Sequence, residues 1–288
     1  MNEKLLKASA YRDRGNQAVL LVLIELAQVL GSQRGSFVLV GGSVPSLLFD
    51  SSTPEHIGTL DIDLNLNTEI LGDYDYAELV QELENHDYER GVKGLKPFQM
   101  RRTIDLGDGG KLIPVIVDLL MPRNAEVKVH NPPLIDGLRV QPIDGGIYAL
   151  KYYQEITIDG KMPDGRTNQV KILVASPLAL LVMKGYALVG RDKKKDAYDI
   201  WFCIKNYEGG IEALAEECMP LLKEDEAKEA FMNIANKFKN ESDFGPVTVR
   251  QFLENSPDKC GDMTSDQIQT DAYMRVSKWC EILGIKSQ

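Results

Sequence analysis

The sequence predicts an α+β fold: a mixed β-sheet lobe with flanking helices over residues 1–175, followed by an all-α helical lobe over residues 176–288. Three observations predict it. Strand signals recur through the first half, at Phe37–Val40, at the strongly alternating Thr59–Leu66, and at the two segments that flank Gly107-Asp108-Gly109-Gly110. From Ser176 onward almost only helical spacing is found. No Gly-, Pro- or Ser-rich linker divides the two parts, so the lobes are expected to pack tightly, and a cleft between lobes is the usual place for a ligand.

The elements follow in order. Residues 3–31 read as one long helix, apolar on Leu20, Leu21, Leu23, Ile24, Ala27 and Leu30 and ended by Gly31. Phe37–Val40 is a strand, and Ser43–Phe49 a short helix with Ser43 as cap and Pro45 in its first turn. Thr59–Leu66 alternates strongly and is a strand; residues 75–86 read as a covering helix. Phe98–Leu106 and Lys111–Leu120 flank Gly107-Asp108-Gly109-Gly110, a hairpin signal. Further strands are expected at 138–142, 147–158 and 169–175, and helices at 176–189, 193–206, 209–222, 224–239, 246–255 and 264–284.

Composition bounds the function. The longest apolar run, 18–30, is too short and too interrupted to span a bilayer, and the polar start after Met1 is not a signal peptide. No membrane association is expected. Cys203, Cys218, Cys260 and Cys280 are widely spaced without a C-x-x-C pair, and read as free thiols of a cytoplasmic protein. A net charge of −10 argues against broad nucleic-acid binding, though two basic tracks exist: Arg90, Lys93, Lys96, Arg101 and Arg102, and Arg191, Lys193, Lys194 and Lys195. Either is also explained as a solvated surface.

The chemistry concentrates between residues 37 and 67. Asp61 and Asp63 sit at i and i+2 of one strand, so both carboxylates are aimed at one face, with Leu60, Ile62 and Leu64 toward the core. Asp118 lies in the apolar strand IPVIVDLLM, where a lone carboxylate is costly unless paired, hydrogen-bonded or metal-bound. Three such aspartates on neighbouring strands would offer Mg²⁺ an oxygen-rich site, and two ions held so can activate a hydroxyl and stabilise a leaving pyrophosphate. The alternatives are a solvent-facing edge strand for Asp61 and Asp63, and a buried pair with Lys or Arg for Asp118. An EF-hand is excluded, because Leu66 stands where its Gly is required and Gly72 where its Glu is.

Gly41-Gly42-Ser43 follows a strand and precedes a helix. Its N–H groups and the Ser43 hydroxyl could meet a phosphate, or the turn could simply cap the helix. It is neither a Walker A motif nor a dinucleotide fingerprint. In the helical lobe, Lys184 is the one charge of an apolar helix and must snorkel, pair or meet an anionic ligand. The next helix carries Lys195, Asp196 and Asp199, with Lys195 and Asp199 at i and i+4; a surface salt-bridge cluster over a core stripe of Ile200, Trp201 and Ile204 is the plain alternative.

Taken in order, GGS, T-x-D-I-D-L, a later strand Asp and K…R-x-K-x-K-D-x-x-D resemble the AbiEii/AbiGii-type toxin nucleotidyltransferases of the DNA polymerase β-like superfamily, over roughly residues 35–205. The resemblance implies a nucleotidyltransferase-like sheet lobe that binds an NTP with Mg²⁺ and transfers NMP to an acceptor hydroxyl. It also implies a toxin of a toxin–antitoxin or abortive-infection system, paired with a cognate antitoxin and acting on the acceptor end of tRNA. By the same resemblance Gly42 and Ser43 hold triphosphate, and Asp61 and Asp63 the metals. Asp118 is the third carboxylate, Lys184 contacts triphosphate or pyrophosphate, and Lys195 and Asp196 complete the nucleotide site. Two rival readings stand beside it: a nucleotidyltransferase of small molecules or proteins, which suits the negative charge, and a non-catalytic nucleotide-binding protein on the same fold.

Overall fold

Phe37–Val40 (below, β2) is four apolar residues long and buried throughout, which marks it as an interior strand. The sheet around it is seen in a computed structural model that describes residues 5–7, 14–31, 35–49, 55–71, 73–125, 134–135, 138–190, 193–255 and 261–286. The chain divides into two units: Met1–Ser43 with Gly58–Ala175, and Val44–Ile57 with Ser176–Gln288.

The first unit begins with β1 (Leu5–Lys7), α1 (Arg14–Val29) and β2. The chain passes through a 3₁₀ turn, Gly41–Ser43, and leaves the unit in α2 (Val44–Leu48). It returns with β3 (Asp61–Leu66), α3 (Asp73–Asn85), β4 (Gln99–Ile104), β5 (Ile113–Pro122), β6 (Leu134–Ile135), β7 (Leu138–Arg139) and β8 (Gln141–Ile143). It closes with α4 (Gly146–Lys151), β9 (Tyr153–Lys161) and β10 (Thr167–Ala175). Among the described residues β6 and β7 pair by themselves, and the other strands form one mixed sheet in the order β1-β9-β10-β2-β3-β5-β4, with β8 on β5. The β2–β3, β4–β5 and β9–β10 pairs are antiparallel, and β3–β5, β2–β10, β1–β9 and β5–β8 are parallel. This mixed sheet with flanking helices, followed by helices, is the α+β architecture expected.

Two segments differ from expectation. Of the helix expected over 3–31, the described residues show Arg14–Val29 as helix and Leu5–Lys7 as a strand parallel to β9, while residues 3–4 and 8–13 lie outside the described residues. Three residues carry no readable period, and the backbone partners offered by β9 decide their conformation. The strand expected over 147–158 begins as helix α4, and β9 starts at Tyr153. Gly145, at φ 74°, turns the chain into α4, where Tyr148 and Ala149 are buried. The hairpin across Gly107–Gly110 is present, with Ile104 opposite Ile113 and Gln99 opposite Asp118.

The second unit holds α5 (Pro177–Gly190), α6 (Lys194–Asn206), α7 (Gly210–Cys218), α8 (Asp225–Lys237), α9 (Phe244–Glu254) and α10 (Ser265–Ile282), with α2 against α6. Gly185 permits a close crossing of α5 on α8: a β-carbon there would lie 2.3 Å from the Ala230 carbonyl oxygen. Trp279 of α10 meets Phe231 of α8 edge-to-face at 5.1 Å. Thr264 and Gln267 form a reciprocal capping box at the start of α10. No helix among the described residues is long and apolar enough to cross a membrane. Cys203, Cys218 and Cys280 are free and buried; Cys260, Arg191 and His130 lie outside the described residues.

Candidate active site

β3 alternates as its sequence requires. Ile62, Leu64 and Leu66 are fully buried, while Asp61 and Asp63 share the other face with Asn65. Leu60, expected in the core, precedes the strand and is exposed. The carboxylate face is graded in depth. Asn65 is buried and donates to the Gly146 carbonyl of α4 at 2.8 Å, whereas Asp61 and Asp63 are only partly covered.

Parallel pairing of β3 with β5 sets Asp63 beside Asp118 in register, and antiparallel pairing of β5 with β4 sets Gln99 on the other side of Asp118. Directly registered residues project to the same face of a sheet, so Asp63, Asp118 and Gln99 form one row across three strands spaced ~4.8 Å apart. Gln99 Nε2 donates to Asp118 Oδ1 at 2.8 Å. Among the described residues Asp118 therefore takes an amide, rather than Lys or Arg, as its hydrogen-bonding partner. Burial, then the charge of Asp63, pushes its carboxyl up to about 7; Asp61 adds to the rise, while Gln99 and Lys96 oppose it.

The Gly41–Ser43 turn starts one residue after Val40, which is the β2 partner of Asp63. The turn is therefore built against that carboxylate. Gly41 has φ 79°, and a β-carbon there would fall 1.8 Å from Asp63 Oδ2. Ser43 is buried at the end of the turn.

Lys184, Lys195, Asp196 and Asp199 belong to the second unit. They come together there in a buried ionic cluster. Lys184 Nζ lies 2.7 Å from Asp196 Oδ1 and 2.6 Å from Asp199 Oδ2, and Lys195 Nζ lies 3.0 Å from Asp199 Oδ1. Burial favours a neutral amine at Lys184, but Asp199 and Asp196 outweigh it and raise its pKa. Asp199 is held well below the carboxylate range: Lys184 and Lys195 overcome the opposing effect of burial. The surface cluster considered from sequence is thus an interior one, and Lys184 meets two carboxylates of its own unit.

Two residues escaped the sequence reading. His56 Nε2 lies 2.9 Å from Asp199 Oδ1, and its ring stacks on Tyr198 at 5.0 Å. Burial, then the Lys195 charge, lowers its pKa to about 4, so the ring is neutral and Nε2 carries the hydrogen that Asp199 accepts. No local motif marks His56, whose partner is 143 residues away. Gln99 carries no motif either, although the hairpin signal, taken with Asp118, could have paired them. In the first basic track Arg90 pairs with Glu84, Arg101 with Glu89 and Arg102 with Glu25.

Among the described residues no group of three His, Cys, Asp or Glu side chains is arranged to hold a metal ion. The donor chemistry nonetheless suits Mg²⁺, which takes one or two carboxylates and leaves its other positions to water and substrate phosphates. Asp63 and Asp118 stand in register on neighbouring strands, with Asp61 on the same face of β3, so these carboxylates are presented to one face of the sheet.

No family model matches this sequence, and no curated protein does. A solved structure named as a "putative nucleotidyltransferase from H. pylori" is similar at 12% identity, with 93% of this chain and 96% of that one covered and a TM-score of 0.44.

Proposed function

We propose that this chain is a divalent-cation-dependent nucleotidyltransferase that moves NMP from an NTP to an acceptor hydroxyl and releases pyrophosphate. The observation that carries this reading is the registered pair Asp63–Asp118, with a glycine turn built against Asp63. Asp63 and Asp118, with Asp61 further along the same face of β3, would contribute carboxylates to Mg²⁺, whose other positions go to water and phosphate; when bound it supplies charge neutralisation and Lewis acidity at the phosphates. The N–H groups of Gly42 and Ser43 would meet the triphosphate. In the transfer a new P–O bond forms from the acceptor oxygen to the α-phosphorus as the bond to pyrophosphate breaks. Asp118, poised near neutrality, would take the acceptor's proton. Lys184 serves this reading less as a triphosphate contact than as the ion that fixes Asp196 and Asp199.

The narrower reading is a cytoplasmic toxin of a toxin–antitoxin or abortive-infection system that modifies tRNA and is checked by an antitoxin. Its support is the order of motifs from Gly41 to Asp199. One observation favours a small-molecule or protein acceptor instead: Arg90, Arg101 and Arg102 already spend their charge on glutamates.

The test is incubation with α-phosphate-labelled NTPs, Mg²⁺ and, in separate arms, total tRNA, protein and small hydroxyl acceptors. Transfer that stops in Asp61→Ala and Asp63→Ala is expected. Transfer that persists in both variants overturns the carboxylate assignment. Nucleotide binding without transfer to any acceptor identifies a binding protein.

A further inference from the structure

We propose that Gln99 is a positioning residue for Asp118, holding one carboxylate oxygen so that the other is presented to the divalent cation. This rests on the nucleotidyltransferase reading above and adds a residue to it.

The Gln99 amide is fixed at both ends. Its Oε1 accepts the Lys96 backbone N–H at 3.0 Å, and its own backbone N–H donates to the Lys96 carbonyl at 3.0 Å. An amide oxygen that accepts a backbone N–H can only be the carbonyl end. The end facing Asp118 Oδ1, at 2.8 Å, is therefore the NH₂ group, a donor.

Orientation follows from the same contact. The last torsion of an aspartate is broad and nearly two-fold, so a carboxylate without a partner has no fixed direction. Gln99 supplies one by engaging Oδ1, which leaves Oδ2 as the oxygen to offer. The register brings the two side chains together: Gln99 and Asp118 are direct partners across β4 and β5, and Asp118 is in turn the partner of Asp63. Hydrogen-bond partners of metal-ligating carboxylates commonly change metal affinity by about 10–100-fold when removed.

The test uses the purified full chain with Mn²⁺ as the probe, titrated by calorimetry without nucleotide. Gln99→Leu and Gln99→Met both remove the donor while keeping bulk. Each is expected to weaken Mn²⁺ binding by about tenfold or more, with little change in the thermal midpoint of the metal-free protein. In an Asp118→Asn background the same substitutions should have almost no further effect, which a merely structural role for Gln99 would not produce. Affinities within about twofold of wild type, or equal losses in both backgrounds, overturn the positioning role. A wild-type chain that binds no Mn²⁺, or an Asp118→Asn chain that binds it unchanged, defeats the metal reading itself and the inference with it.

Discussion

Gly41 and Asp63 leave no room for a β-carbon between them: one placed on Gly41 would lie 1.8 Å from Asp63 Oδ2. Gly41 also has φ 79°, a left-handed conformation that other residues adopt at a cost of about 1–2 kcal/mol. Gly94, at φ 97° with nothing within 4 Å, separates the two effects. Gly94→Ala should lose only the conformational term. Gly41→Ala should lose that term and displace Asp63 as well, so a larger loss in urea unfolding and a loss of nucleotidyl transfer are expected. Equal losses at the two positions would show that the turn tolerates a side chain against Asp63.

Lys184 stands between two buried carboxylates, and this predicts a loss of stability when it is removed. Lys184→Met removes the cation that Asp196 and Asp199 share in the interior and leaves Lys195 as the remaining lysine on Asp199. Breaking one side of a buried ion cluster costs about 3–5 kcal/mol. Denaturant unfolding should show a drop of that order. A variant as stable as wild type that has lost only transfer would instead make Lys184 a direct contact of the triphosphate.

These two cases show how far the sequence could be read. Strand alternation placed Asp61 and Asp63 on one face of β3, because side-chain direction in a strand is a local property. The oddity of Asp118 in an apolar strand and of Lys184 in an apolar helix was equally legible, since each violates a local pattern. Their partners were not. The parallel pairing of β3 with β5 joins residues far apart in sequence, and nothing in either strand names the other. Gln99 acquires meaning only through register, and His56 only through a contact across the fold. The short strand Leu5–Lys7 carries no strand signal of its own, because three residues hold no period, and its pairing with β9 decides its conformation.

His56 predicts an acid-dependent loss of stability with a defined window. Its ordinary pKa of 6.5 falls to about 4 in the fold, by burial first and then by the nearby Lys195 charge. Between those values the unfolded chain binds a proton that the folded chain refuses. Stability therefore declines as pH falls from 6.5 to 4, by up to about 3 kcal/mol at 1.4 kcal/mol per pKa unit. His56→Gln should flatten that part of the profile in urea unfolding across pH 7 to pH 4, even if it lowers stability at neutral pH. An unchanged slope would assign the acid sensitivity to other groups.

Asp118 carries the opposite sign, which makes it a direct probe of the carboxylate row. Its folded pKa of about 7 lies above the ordinary 3.8, owing to burial and then Asp63, so the folded chain favours the protonated carboxyl. Ionisation works against folding, and stability is lost as pH rises from 3.8 through 7, by up to about 4 kcal/mol. Asp118→Asn keeps the shape without the charge. It should be more stable than wild type at pH 8, with the difference shrinking toward pH 5. Added Mg²⁺ should narrow the gap at pH 8 by stabilising wild type and not the variant, since a cation bound only by the folded state raises its stability. The proposed transfer would give that cost a purpose, since an asparagine cannot take the acceptor's proton. Asp118→Asn should accordingly gain stability and lose transfer together, whereas a variant that gained stability and kept transfer would remove Asp118 from the reacting groups.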